Sequence, residues 1–180
     1  MALGWKGEES QVKRFEVLAM LGDLNNASVL DSGCGYGDLK AFLDQRFKAI
    51  RYIGVDLMPE FITRAREIYH AEVDTWFYEA DFNLIEFPRV DFVLASGVLS
   101  YRCSIPDFYM NMIRKMYEAA AVAVGFNMLD VQIFRGHGLL VGHDVERIVD
   151  FCRSLATDVK VIRGYLEEDF TVFLFKESQA

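Results

Sequence analysis

The sequence predicts an α/β fold: one doubly wound, mostly parallel seven-stranded sheet that ends in a C-terminal antiparallel hairpin. Three observations predict it. From Ser28 onward, short apolar runs rich in β-branched and aromatic residues alternate with longer stretches of helical period, the pattern of a parallel sheet covered by helices on both faces. A glycine-rich turn, Gly33-Cys-Gly-Tyr-Gly37, follows the first of those runs directly. The last two runs are separated only by residues 166–169, too few for a parallel crossover of about a dozen residues, so they must pair antiparallel.

Taken in order, a helix is expected over 10–21, then a strand over 28–32 that enters the glycine turn, then a helix over 39–47. The second strand, 52–56, reads Tyr-Ile-Gly-Val-Asp and is followed by a helix over 59–69. Pro59 opens that helix, at a position where a missing N–H costs nothing. Strands at 75–79 and 91–95 come next, then a helix over 106–119 opened in the same way by Pro106. The run 122–127 is the fifth strand, 144–155 the last helix, and 159–165 with 170–176 the hairpin. Residues 130–143, with Gly136, Gly138 and Gly142, show no clear period and are expected to form a lid or a wall of the site. Residues 1–27 are read as an N-terminal helical cap and 28–180 as one globular unit.

A chain of 180 residues with 52% hydrophobic composition is long enough for one well-buried core. Its apolar runs fall short of the ~20 residues of a membrane helix, and its first residues lack the layout of a secretory signal. A cytoplasmic chain is expected. Cys34, Cys103 and Cys152 are widely spaced, with no Cys-x-x-Cys and no histidine pair nearby; they read as reduced thiols, and no metal site is expected. The net charge of -8 repels phosphate backbones, which argues against nucleic acid and acidic membranes as partners.

The chemistry gathers in Val29-Leu-Asp-Ser-Gly-Cys-Gly-Tyr-Gly-Asp-Leu39, a strand that runs through Gly33, Gly35 and Gly37 into a helix. Such glycines let the backbone turn tightly and approach a ligand closely. Asp31, just before the turn, is suited to a cationic group and unsuited to a phosphate cradle. Asp56 ends the next strand, 19 positions after Gly37, where a carboxylate can hold ribose hydroxyls. Asp81 ends the strand region after that. Three acids thus close three successive strands at the carboxyl edge of the sheet, where open sheets bind ligands.

With the strand Asp91-Phe-Val-Leu-Ala-Ser-Gly97, these residues make the chain resemble the class I methyltransferases that use S-adenosylmethionine (SAM), over roughly residues 10–176. The resemblance implies a Rossmann-like fold that carries the terminal hairpin, SAM as cofactor and S-adenosylhomocysteine as product; 180 residues leave little room for an inserted acceptor domain, so a small-molecule acceptor is expected. By it, Gly33, Gly35 and Gly37 lie against the methionine part of SAM and Asp31 faces its amino group. Asp56 holds the ribose, Leu57 and Met58 pack on the adenine, and Asp81 with the backbone N–H of Phe82 reads the adenine edge. Ser96 and Gly97 sit near the sulfonium. Trp5, Ser10, Gln11 and Arg14 fall in a segment similar to a group of bacterial methyltransferases of this class, and are expected as a cap over the cofactor.

Methyl transfer needs alignment more than a base. Where a base is needed, His137, His143, Tyr101 and Asp144 are the candidates. Tyr36, Tyr101, Tyr109, Phe126 and Tyr165 could line an aromatic acceptor pocket. The Asn/Asp-Pro-Pro-Tyr signature of methyltransferases acting on bases and glutamine is absent; the corresponding stretch reads Ala95-Ser-Gly-Val98. The alternatives are a non-catalytic partner or regulatory protein on the same fold, an NAD-dependent Rossmann oxidoreductase, and aminopropyl transfer from decarboxylated SAM.

Overall fold

Strands buried on both faces need a helical layer on each side, and the central strands here are buried almost throughout. The computed structural model describes residues 7–177. Its strands are β1 (Ser28–Ser32), β2 (Arg51–Asp56), β3 (Thr75–Glu79), β4 (Val90–Ala95), β5 (Ala120–Asp130), β6 (Gly142–His143), β7 (Asp158–Arg163) and β8 (Asp169–Phe175). They lie in the order β3-β2-β1-β4-β5-β8-β7, with β6 paired to the end of β5. The run from β3 to β5 is parallel, and β8 is antiparallel to both β5 and β7.

Helices α1 (Glu8–Leu18), α2 (Asp38–Asp44) and α3 (Pro59–Ile68) bury Phe15, Leu18, Leu39, Phe42, Leu43 and Ile62 against one face. Helices α4 (Phe108–Ala119) and α5 (Val145–Leu155) bury Met112, Ile113, Met116, Ile148 and Val149 against the other. Successive strand residues point to opposite faces, so Val29 joins the first core and Leu30 the second. The chain winds outward from β1 to β3, then crosses back to β4 on the other side of β1. That reversal opens a crevice beyond the carboxyl ends of β1 and β4, which is where such sheets hold ligands.

Several boundaries differ from expectation, each for a local reason. The helix expected from Pro106 begins at Phe108, because Asp107 takes a left-handed φ of 54° at its N-cap. Pro59 does occupy the first turn of α3. The helix expected to reach residue 47 ends at Asp44, where the N–H groups of Arg46 and Phe47 both turn back to the Leu43 carbonyl. The eighth strand, β6, comes from the stretch expected to be loop. It lies so close to the chain after β5 that a Cβ on Gly142 would sit 2.0 Å from the Phe134 carbonyl oxygen. Asp144 is the N-cap of α5, its side chain accepting from the Arg147 N–H at 3.0 Å.

Phe126, proposed from sequence for an acceptor pocket, is instead fully buried between the sheet and α4–α5. Phe126→Ala is therefore expected to cost about 3–5 kcal/mol of unfolding free energy in a denaturant titration. A cost below about 1 kcal/mol would mean that the ring borders open space instead.

Candidate functional site

The turn after β1 is held from below by β2. The N–H groups of Gly33 and Cys34 both donate to the Val55 carbonyl, at 2.8 and 3.1 Å. Gly33, Gly35 and Gly37 have φ of 84°, 55° and 83°, a region that residues with a Cβ avoid. Gly33 is also forced by packing, since a Cβ there would lie 2.5 Å from that of Val98. Gly37 caps α2, and its carbonyl accepts from the Tyr69 hydroxyl at 2.7 Å.

Asp56, at the end of β2, is almost buried. One carboxylate oxygen accepts from Gly35 N–H at 2.9 Å and the other from Met58 N–H at 3.0 Å. Each oxygen keeps a second lone pair. Beside it, Leu57 and Met58 are 54% and 43% exposed, large apolar side chains at the edge of the crevice. Asp81 lies two residues past β3 and holds its own turn by accepting from the backbone and side-chain nitrogens of Asn83. Phe82 packs into the core beyond it.

Asp31 is 1% exposed. Its Oδ2 accepts from the hydroxyl of Tyr52, and its Oδ1 has no hydrogen-bond partner among the described residues. Burial pushes its carboxyl up to about 7, against the Tyr52 bond, and Asp56 and Asp38 push the same way. Among the described residues, the charged groups acting on it are thus acids, with no cation to offset them. Burial, with Asp31 and Asp56, raises the Cys34 thiol as well.

On the far side of the crevice, Gly97 follows β4 with φ 74°. Its N–H donates to Oδ1 of Asn127 at 2.7 Å, which fixes the orientation of that amide. Asn127 Nδ2 and Ser96 Oγ are buried without hydrogen-bond partners among the described residues. Ala95 and Phe126 are paired between β4 and β5, so Ser96 and Asn127 follow side by side. Asn127 was missed from sequence, although a polar residue within the apolar stretch 122–129 was the available signal.

Helix α1 reaches both sides of this edge. Gln11 donates to Asp38 at 3.0 Å, beside the glycine turn, and Arg14 forms a two-pronged ion pair with Asp169, nearly buried on both sides. Ser10 instead bonds the Gly7 carbonyl at 2.8 Å, and Trp5 lies outside the described residues. An open cleft of about 480 Å³ lies beyond the Arg14–Asp169 pair, where Lys13, Arg163 and Tyr165 form part of its wall.

The base candidates lie in different settings. His143 is buried, its Nε2 2.9 Å from the Leu99 carbonyl and its ring 4.4 Å from that of Tyr109; burial lowers its pKa and keeps it neutral. His137 is exposed in a bridge to Leu140. Tyr101 lies within the fields of both Asp56 and Arg14, and burial raises its pKa, so it stays a phenol at neutral pH. Of the other aromatic candidates, Tyr36 packs on Phe61, Tyr109 donates to the Tyr101 carbonyl, and Tyr165 bonds Thr171.

A methyltransferase-domain family model matches residues 29–121, which hold the glycine turn, Asp56, Asp81 and Ser96. The chain belongs to the class I SAM-dependent methyltransferases. Among curated methyltransferases, a trans-aconitate 2-methyltransferase of Escherichia coli is 37% identical over 95 residues, which are 52% of this chain but only 35% of that enzyme. The chain thus spans about a third of the curated relative it matches. Among solved structures, the magnesium protoporphyrin IX methyltransferase of Synechocystis superposes with a TM-score of 0.73 at 16% identity, over 94% of this chain and 84% of that one. A SAM-dependent methyltransferase of Mesorhizobium loti gives 0.75 at 13%, over 93% and 100%. These likenesses bear on fold, and the sheet with its terminal hairpin is the Rossmann-like methyltransferase fold.

The Asp31 carboxyl titrates near 7 in the folded chain, against an ordinary 3.8. The stability this lends is full below the ordinary value and is lost as pH rises through the folded one. Asp31→Asn keeps an acceptor for Tyr52 and removes that loss. By thermal or denaturant unfolding without ligand, the variant is expected to exceed the wild type at about pH 8, by on the order of a few kcal/mol, and to lose that advantage by about pH 4, as pH falls through 7 toward the ordinary 3.8. A variant less stable at both values would contradict this account of Asp31.

Proposed function

We propose that the chain binds SAM at the carboxyl edge of β1, β2 and β4 and transfers its methyl group to a small acceptor. The observation that carries this reading is Asp31 Oδ1, a buried carboxylate oxygen beneath the glycine turn that, among the described residues, has acids for neighbours and neither a hydrogen-bond partner nor a cation. A buried anion without a partner is costly, and a ligand bearing an ammonium and a sulfonium offsets that cost where a pyrophosphate would add to it. That contrast favours SAM over NAD.

The other roles follow from position. The positive-φ glycines leave backbone free of Cβ atoms where the methionine part would lie. Asp56 uses one lone pair of each oxygen on its own backbone and offers the others to the ribose hydroxyls. Leu57 and Met58 give the adenine an apolar seat, and Asp81 and the Phe82 N–H face its edge. Gln11 and Arg14 close the cap side, and Ser96 with Gly97 borders the reacting centre.

SAM supplies a methyl group on an already activated sulfonium, which passes in line to the acceptor nucleophile as S-adenosylhomocysteine leaves. The chain then has to align the partners and keep water out. An acceptor that is already nucleophilic needs no base from the chain. A small acceptor also agrees with the trans-aconitate 2-methyltransferase among the relatives.

Calorimetric titration with SAM, S-adenosylhomocysteine and NAD in parallel tests this reading. Micromolar binding of the first two and none of NAD is expected. Asp56→Ala is expected to weaken SAM by roughly 1.5–3 kcal/mol through loss of charge-assisted bonds. Unchanged affinity in that variant would remove the ribose from Asp56.

A further inference from the structure

Tyr52 is among the largest fully buried side chains of the protein, on a strand that would pack equally well with phenylalanine. Its ring lies 5.8 Å from that of Phe77 in the core beneath α2 and α3. A buried hydroxyl costs free energy unless it finds a partner, and the partner here is Asp31 Oδ2, 21 residues away on the neighbouring strand. In β1 and β2, Val29 is level with Tyr52 and Asp31 with Gly54, so the contact is diagonal. Gly54, level with Asp31, has no room for a side chain, since a Cβ there would meet the Cys34 sulfur at 2.8 Å and Phe77 at 2.6 Å.

The groups around this pair come from every element packed on it. They are Cys34 from the glycine turn, Asp38 from α2, Asp56 from the end of β2 and Tyr69 from the C-cap of α3. Tyr52 is the one that donates a hydrogen bond to the Asp31 side chain, and it occupies one oxygen only.

We propose that Tyr52 is a positioning residue for the cofactor: its hydroxyl fixes the Asp31 carboxylate so that Oδ1 is turned to the ammonium group of the methionine moiety. This rests on the SAM reading above and adds to it a residue that touches no ligand. It also gives binding a pH dependence. Burial and the neighbouring acids raise Asp31, and the Tyr52 bond opposes them. Removing the hydroxyl raises the carboxyl further, so a variant without it needs a higher pH to present the carboxylate.

The test is Tyr52→Phe in the full chain, titrated calorimetrically with SAM and with 5′-methylthioadenosine across roughly pH 6 to 9, the span in which such a carboxyl changes charge. The second ligand keeps the adenosine and the sulfur but has no ammonium. At neutral pH, SAM affinity is expected to fall about ten-fold relative to wild type, the deficit shrinking as pH rises, while 5′-methylthioadenosine binds both proteins alike. Equal losses for the two ligands, or a SAM deficit independent of pH, would overturn the proposal and leave Tyr52 as packing. If Tyr52→Phe does not fold, Asp31→Asn replaces it. That variant keeps the hydroxyl bond but does not titrate, so the expected result is a loss for SAM alone, with affinity that no longer rises with pH as the wild type's does, and an equal loss for 5′-methylthioadenosine would overturn the proposal. If the wild type binds 5′-methylthioadenosine but not SAM, the ammonium contact is wrong and the cofactor reading survives in part. If it binds neither, both fall.

Discussion

The Asp56 carboxylate joins two loops that would otherwise be independent. By accepting from Gly35 N–H on one oxygen and Met58 N–H on the other, it ties the turn after β1 to the turn after β2. The Val55 carbonyl, one residue earlier, takes the N–H groups of Gly33 and Cys34. The glycine loop therefore hangs from the last two residues of the neighbouring strand, and the starting points of α2 and α3 are set together. Charge-assisted bonds of this kind are among the stronger ones in a fold. They hold the glycines in left-handed conformations together with the packing of Val98 on Gly33 and of Tyr69 and Phe77 on Gly37.

What that constraint leaves open is a row of unsatisfied polar atoms. Among the described residues, Asp31 Oδ1, Ser96 Oγ and Asn127 Nδ2 are buried without hydrogen-bond partners on β1, the end of β4 and β5, three adjacent strands. All three lie on the face that α1 covers, by the alternation of side chains along each strand. Each such group costs about 1–3 kcal/mol, a cost that proteins tend to carry where a ligand can relieve it. Helix α1 seals the row at both ends, through Gln11 on Asp38 and Arg14 on Asp169. Stability and binding therefore pull against one another at this edge, Asp31 being the clearest case.

The sheet was legible because its strands are apolar on both faces and because four residues cannot carry a parallel crossover. The glycine turn and Asp56 were legible for the same reason: strand, turn and acid follow one another along the chain. The partnerships that set the site were not. Tyr52 reaches Asp31 diagonally across strands, and Arg14 meets Asp169 from 155 residues away; neither leaves a local pattern. β6 was hidden because two residues beside a glycine carry no period. The histidines were read as possible bases from loop position alone, and only the fold shows His143 held to the Leu99 carbonyl. Pro106 misled because proline fits a turn before a helix as well as its first residue, and the left-handed Asp107 decides between them.

The placement of the ligand is tested most directly by a crystal structure of the protein with S-adenosylhomocysteine. The account predicts the ribose hydroxyls on Asp56, the amino group on Asp31 Oδ1 and the adenine over Leu57 and Met58. A ligand seated instead in the cleft beside Lys13 and Tyr165, or an amino group turned away from Asp31, would contradict it.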